Sequence, residues 1–218
     1  MKKDLHKYFI AFISIFFITF TLNIEAQNQS SDREVKKTNI KYKKARALQA
    51  GTAKKMAKVY EALEVVDDKG EPDPDMETVL SILNELRRDM ANLKSYDRSV
   101  MWNAWAFVYF SDGKYDQAMD AYYNLINEPE VTIGLRVGAL LSLAQLHLVQ
   151  ENYKEGIELI LQWMNEVEKV TAQSYSLLGQ AYYQTGDFRK SLSSMETAVT
   201  MAEEEVQTYG KTVNIYFF

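Results

Sequence analysis

The chain has 218 residues, 47% of them hydrophobic and 25% charged, with a net charge of −5. That length suits one domain with a sizeable core, and the acidic balance argues against nucleic acid as the main partner. There is no cysteine, which removes disulfides, thiol nucleophiles, thiolate metal sites and a lipid-modified cysteine anchor.

Met1-Lys2-Lys3-Asp4-Leu5-His6-Lys7 is a short basic region, and Tyr8 to Leu22 is an apolar run softened only by Ser14, Thr19 and Thr21. Ile24-Glu25-Ala26 then offers a cleavage point before Gln27. These three parts predict a secretory signal peptide over 1–26, cleaved after Ala26, and so a periplasmic location. The run falls short of the roughly 20 residues of a spanning helix. Extending it to Ile24 leaves an uncleaved anchor as the alternative. Removing 1–26 takes away three basic and two acidic residues and leaves a net charge of −6.

Residues 27–45 are polar with no apolar period and predict a flexible tether. From Arg33 to Lys58 ten Lys or Arg residues stand against one acid, Glu34. A block of like charge usually stays in water; the alternative is a peripheral contact with acidic lipid headgroups or an acidic partner. Residues 46–97 predict a divergent helical pair. Its first helix, from about Arg46 to Val66, carries Met56, Val59, Tyr60, Leu63 and Val66 on one face. Gly70, Pro72 and Pro74 break it. Asp75 caps the next helix, which runs through Val79, Ile82, Leu83, Leu86 and Met90. Asn92 to Asp97 is the turn into Trp102.

Residues 98–205 repeat themselves. Gly113-Lys114-Tyr115-Asp116-Gln117-Ala118, Glu151-Asn152-Tyr153-Lys154-Glu155-Gly156 and Gly186-Asp187-Phe188-Arg189-Lys190-Ser191 place an aromatic before a small residue, with the aromatics 38 and then 35 residues apart. Around them run three matching sets. The first is Trp102, Trp105, Ala106, Tyr109, Tyr115, Ala118, Tyr122 and Leu125. The second is Leu140, Leu143, Ala144, His147, Tyr153, Gly156, Ile160 and Trp163. The third is Tyr175, Leu178, Gly179, Tyr182, Phe188, Ser191, Met195 and Ala198. Small residues recurring in register let paired helices approach closely. The period and the sets resemble the tetratricopeptide repeat (TPR) family, about 34 residues per helix–turn–helix unit. The resemblance implies an all-α solenoid of three clear repeats after the divergent pair. It also implies a binding surface in place of a catalyst.

A narrower resemblance covers about Lys58 to Ala198. Lys58-Val59-Tyr60-Glu61-Ala62-Leu63, Leu80-Ser81-Ile82-Leu83-Asn84-Glu85-Leu86, Ser95-Tyr96-Asp97-Arg98, Trp102-Asn103-Ala104-Trp105, Leu143-Ala144-Gln145-Leu146 and Val149-Gln150-Glu151-Asn152-Tyr153 resemble one group of secreted bacterial TPR proteins. These are encoded beside TonB, ExbB and ExbD and described as components of that system. The resemblance implies a periplasmic accessory role in energised uptake across the outer membrane, with TonB, ExbB or ExbD as partners. Alternatives are an adaptor in outer-membrane or pilus assembly, and a regulatory docking subunit of a cell-wall enzyme. Members continue with further repeats. Here the last helix is expected to end near Glu205, leaving 206–218 as an apolar tail without helical period. That tail either folds back over Ala198 and Met195 as a cap or is the end of a truncated gene or fragment, and truncation is the expectation.

No catalytic, cofactor-binding or metal-binding constellation is expected. His6 lies in the signal, and His147 sits among Leu140 and Leu143 as a packed ring with one satisfied nitrogen. Asp67/Asp68 and Glu203/Glu204/Glu205 read as solvated charge, and no Gly-x-x-x-x-Gly-Lys-Ser/Thr loop is present. In a TPR array the first helices line the groove. Carried onto this chain, the groove positions are Asn103, Phe107 and Phe110; Leu141, Gln145 and Leu148; Ser176, Gln180 and Tyr183. Packing between repeats is the rival role for Phe107, Phe110 and Leu148. The family's clamp for C-terminal carboxylates needs Lys and Asn, then Lys and Arg two repeats later. Those positions hold Asn103, Phe107, Gln173 and Leu177, so the clamp is absent. A peptide would pair its backbone with the amides and bury side chains on the aromatics.

Overall fold

The computed structural model describes residues 47–216, with side chains described as far as Val206. The expected signal peptide and tether lie outside the described residues. Among those described, the chain forms eight α-helices: α1 (Ala50–Leu63), α2 (Met76–Arg88), α3 (Ser95–Ser111), α4 (Tyr115–Ile126), α5 (Ile133–Val149), α6 (Tyr153–Glu166), α7 (Ala172–Gln184) and α8 (Phe188–Tyr216). A 3₁₀ turn, Met90–Asn92, precedes α3, and the sole extended pairing among the described residues is a bridge between Val66 and Pro72. Each helix packs on the next in chain order, from α1 on α2 to α7 on α8. The fold is all-α, as the periodicity predicts: a helical pair followed by three helix–turn–helix units.

The three units close their internal turns in the same way. At the end of each first helix one residue adopts a left-handed backbone: Gly113 at φ 71°, Glu151 at 63° and Gly186 at 78°. The next amide then reaches five residues back. Lys114 N donates to Tyr109 O at 2.8 Å, Asn152 N to His147 O at 2.9 Å and Asp187 N to Tyr182 O at 3.0 Å. This double closure satisfies carbonyls that a helix end would otherwise leave open, and it favours glycine because a Cβ clashes in that conformation. Glu151 bears that strain in the middle unit.

The core follows the repeat register. Ala106, Ala118, Leu125, Leu140, Leu143, Ala144 and Ile160 are fully buried, and Trp102, Trp105, Tyr122, Trp163 and Leu178 nearly so. The small residues sit where helices cross. A Cβ on Gly156 would come within 2.6 Å of Leu148 Cδ2 and 3.3 Å of the Ala144 carbonyl; one on Gly179 would meet Met195 Cγ at 2.9 Å. In α2, Val79, Leu83 and Leu86 form the buried face, and Asp75 Oδ1 accepts from Thr78 N at 3.0 Å as the expected cap.

Five expectations are corrected. The first helix stops at Leu63, and Val66 stands exposed in a tight turn where Asp67 Oδ1 accepts from Lys69 N and Glu71 N. Tyr60 lies at the edge of its apolar face and is 43% exposed. Ser95 to Asp97 already belong to α3, because the turn before it ends at Asn92. The last helix does not end near Glu205: α8 runs to Tyr216. That stretch contains no proline and one glycine, Gly210, and a single glycine costs a helix only about 1 kcal/mol. Phe188, assigned to the inner set, is 63% exposed and meets Tyr183 edge-on at 5.5 Å.

Candidate binding track

The first helices α3 and α5 are each anchored by the same device. Arg98 and Arg136 each occupy the fourth residue of a first helix. Arg98 donates from Nε and Nη2 to the two Glu128 oxygens, both at 2.7 Å, and from Nη1 to Leu93 O at 2.7 Å. Arg136 does the same to Glu166 at 2.7 and 3.0 Å and to Ile126 O at 2.7 Å. A guanidinium suits this use because its planar fork meets a carboxylate twice and still has a donor free for a helix-end carbonyl. Arg136 thus ties the start of α5 to the end of α6 and the end of α4. The Arg136 hydrogen bond, helped by Gln162, holds the Glu166 carboxyl below its ordinary range. The corresponding positions of the third unit are Thr171 and Met201, which cannot form this pair; Thr171 caps α7 instead, accepting from Ser174 N at 3.3 Å.

The expected groove residues fall into three columns across α3, α5 and α7. Asn103, Leu141 and Ser176 are all half-buried. Phe107 and Gln145 are half-buried while Gln180 is exposed; its Nε2 lies 3.4 Å from Ser176 Oγ. In the third column Phe110 is buried with its ring 5.7 Å from Tyr115, Leu148 lies against Gly156, and Tyr183 is 61% exposed. Phe110 and Leu148 therefore spend their surface on the turn of their own unit. What remains accessible is a mixed strip of amides, a hydroxyl and aromatic edges, with exposure rising toward α7. Such a strip offers donors and acceptors to a peptide backbone without a charge preference.

Two contact clusters went unread in the sequence, as did the partner of His147, whose packed state with one satisfied nitrogen is as expected. Arg87 of α2 lies 5.6 and 5.7 Å from the Trp102 and Trp105 ring centroids, and donates to Tyr109 Oη at 3.1 Å. Trp105 stacks on Tyr109 within α3 at 5.0 Å, so two cation–π contacts and one hydrogen bond from Arg87 join the divergent helices to the first repeat. The buried Asp97 accepts from Gln49 N at 3.0 Å, while Lys94 N donates to Gln49 Oε1 at 3.0 Å. This reciprocal clasp docks the start of α1 on the start of α3. His147 is packed with one nitrogen satisfied: Nε2 is 2.9 Å from Tyr123 Oη, and burial pushes its pKa down. Burial likewise pushes Tyr122 up to about 12. Spacing between charged and aromatic residues on different helices, with no local motif, is the reason these contacts were missed.

Among the described residues no group of three or more His, Asp or Glu could hold a metal ion, and no helix is long and apolar enough to cross a membrane. The run from Tyr8 to Leu22 lies outside the described residues.

Residues 172–205, which span α7 and most of the described part of α8, match the tetratricopeptide repeat family model. No curated protein matches the chain. Among solved structures, the fold is similar to the crystal structure of BtubC (BKLC) from P. vanneervenii, with a TM-score of 0.52 and 13% identity, over 72% of this chain and 75% of that one. At that identity the likeness is one of fold. The architecture is an all-α, tetratricopeptide-type array. Such repeats imply protein partners and an interaction scaffold, and the proteins that carry them are generally not catalysts.

Proposed function

We propose that this protein is a non-enzymatic scaffold that holds a protein or peptide along the strip formed by α3, α5 and α7. The observation that supports it best is the recurrence of one register across three units, which sets Asn103, Gln145 and Gln180 at the same or neighbouring positions of successive first helices. A partner in extended conformation would exchange backbone hydrogen bonds with these amides and rest side chains on Phe107 and Tyr183. The three-part leader at 1–26 supports a periplasmic site of action. The resemblance to the secreted repeat proteins encoded beside TonB, ExbB and ExbD supports a place in that energy-transducing assembly.

Tagging the full chain at its C-terminus and crosslinking mildly in intact cells tests this reading. The proposal expects the tag in the periplasmic fraction, an N-terminus at Gln27 and TonB-type components among the crosslinked products. Recovery of other envelope proteins alone would remove the TonB assignment and keep the scaffold. Recovery of chain that retains Met1 in the inner membrane would replace the soluble form with a tethered one.

A further inference from the structure

Arg87, Arg98 and Arg136 each donate from Nη1 to a neutral oxygen. Arg98 gives that donor to Leu93 O, Arg136 to Ile126 O and Arg87 to Tyr109 Oη, at 2.7, 2.7 and 3.1 Å. In Arg98 and Arg136 the Nε–Nη2 edge then grips both oxygens of a glutamate. In Arg87 the same edge holds no acid: among the described residues no hydrogen bond or ion pair occupies it. The acids nearest in sequence are committed elsewhere, Glu85 to Lys55 at 2.8 Å and Asp89 to the Asn92 side-chain amide. The Arg87 guanidinium is nonetheless fixed, because two indole faces and a phenol hold it. A cation placed in advance loses little freedom when a ligand arrives.

Around Arg87, α2 presents further donors. Ser81, Asn84, Arg87 and Arg88 recur three or four residues apart and so share one face of the helix. All four are exposed, and they line an open hollow of about 490 Å³ that no carboxylate lines. Arg88 pairs with no acid among the described residues. A hydroxyl, an amide and two guanidinium groups together select an anion. The two brackets of this chain indicate which anion: the edge left open on Arg87 is the one that takes a planar carboxylate in Arg98 and Arg136. Arg88, the next residue, offers a second cation beside it.

We propose that Arg87, assisted by Arg88, Asn84 and Ser81, binds carboxylate side chains of an acidic segment of a protein partner. The site belongs to α2 and is independent of what the strip on α3, α5 and α7 binds. It also uses none of the positions at which the family's C-terminal clamp is absent. The indole rings beside Arg87 supply the readout, since the chain has three tryptophans and Trp163 stands on α6. Nuclear magnetic resonance follows the three indole N–H signals of the isotope-labelled chain, as purified from cells, during titration. The probes are an end-blocked peptide of alternating Glu and Gly, its Gln and Gly counterpart, and inorganic phosphate. The proposal expects the Glu peptide to shift Trp102 and Trp105 and to leave Trp163 in place, and the Gln peptide to shift none. Arg87→Lys keeps the charge and loses the fork, and should weaken binding about tenfold. Arg88→Gln leaves the Arg87 contacts in place and should weaken it a few-fold, as for an exposed ion pair. Unchanged helical circular dichroism confirms that both variants fold. Absence of any indole shift at millimolar Glu peptide, or equal shifts by the Gln peptide, would overturn the site. Stronger shifts by phosphate would overturn the carboxylate assignment, and wild-type affinity in both folded variants would overturn the residues assigned.

Discussion

The middle units and the last unit share a register and differ in how it is secured. In α3–α6 every repeat position that faces a neighbour is covered, and each first helix is bracketed by a bidentate Arg–Glu pair that also satisfies a backbone carbonyl. In α7–α8 the same register is kept by Gly179, Ser191 and Ala198. The bracket positions hold Thr171 and Met201, and the outward stripe of the second helix is bare. The contrast separates two roles of a repeat. Small residues at the crossing fix how a helix pair closes, and the pair forms with or without a neighbour. Brackets tie the start of a unit's first helix to the end of its second, with Arg136 also reaching Ile126 O of the unit before, covered stripes fix one unit on the next, and both fade toward α8. The last unit is therefore held chiefly through α7.

The crossings provide the largest break in this contrast. Gly156→Leu should destabilise by about 3 kcal/mol, because its side chain would enter Leu148 and the backbone carbonyl of Ala144. Gly179→Leu should cost less, about 1–2 kcal/mol, because it meets Met195, a flexible side chain that can move aside. Urea unfolding of the two variants measures the difference. Equal losses would erase the distinction between the middle and last units, and a neutral Gly179→Leu would contradict the register itself.

Next in size is the bracket. Arg136→Leu removes a charged hydrogen-bond pair and strands Glu166, which is 23% exposed; about 1.5–3 kcal/mol is expected at neutral pH. The sign with pH follows from the depressed Glu166 pKa. The bracket contributes fully above the ordinary carboxylate pKa of about 4.3, and its contribution is lost as pH falls through the lower folded value. The penalty of Arg136→Leu should therefore shrink on acidification, read as a falling difference in Tm between wild type and variant. A penalty constant down to strongly acidic pH would mean that the side chain stabilises by packing alone.

The turns give the smallest stability effects. Glu151→Gly should stabilise by about 1 kcal/mol, since it relieves a left-handed residue, while Gly113→Ala and Gly186→Ala should each destabilise by a similar amount. Opposite signs at one repeat position would show that the three turns share their backbone. Loss of stability in Glu151→Gly would show that the Glu151 side chain makes a compensating contact.

Much of this fold is legible in the sequence because the repeats are local. The aromatic and small residues around 115, 153 and 188 declare the helix pairs, and spacing alone places Leu140, Leu143, Ala144 and Ile160 in the core. The end of α8 is not legible, because an apolar tail without obvious period reads as a break, although nothing between Phe188 and Tyr216 forces one. The binding strip was legible only as positions. Sequence spacing sets Phe110 and Leu148 beside Asn103 and Gln145, but whether a side chain turns to solvent depends on the next unit and on close contacts such as Leu148 on Gly156. The Arg98–Glu128 and Arg136–Glu166 pairs were in principle readable, since both partners repeat at 38 residues. An ion pair absent from the third unit leaves only two instances to notice.

The placement of the partner on the first helices is tested most directly by two matched triple variants, assayed against a partner recovered from the envelope. Asn103, Gln145 and Gln180 changed together to alanine should weaken binding by roughly 0.5–1.5 kcal/mol per side chain while unfolding stability stays close to wild type. The control changes Gln117, Glu158 and Lys190, exposed residues of the second helices, and should leave affinity unchanged. Isothermal titration of the purified chains reads both. Loss of affinity in the first variant alone is the predicted result; loss in the control with full binding by the first would place the partner on the opposite face of the array.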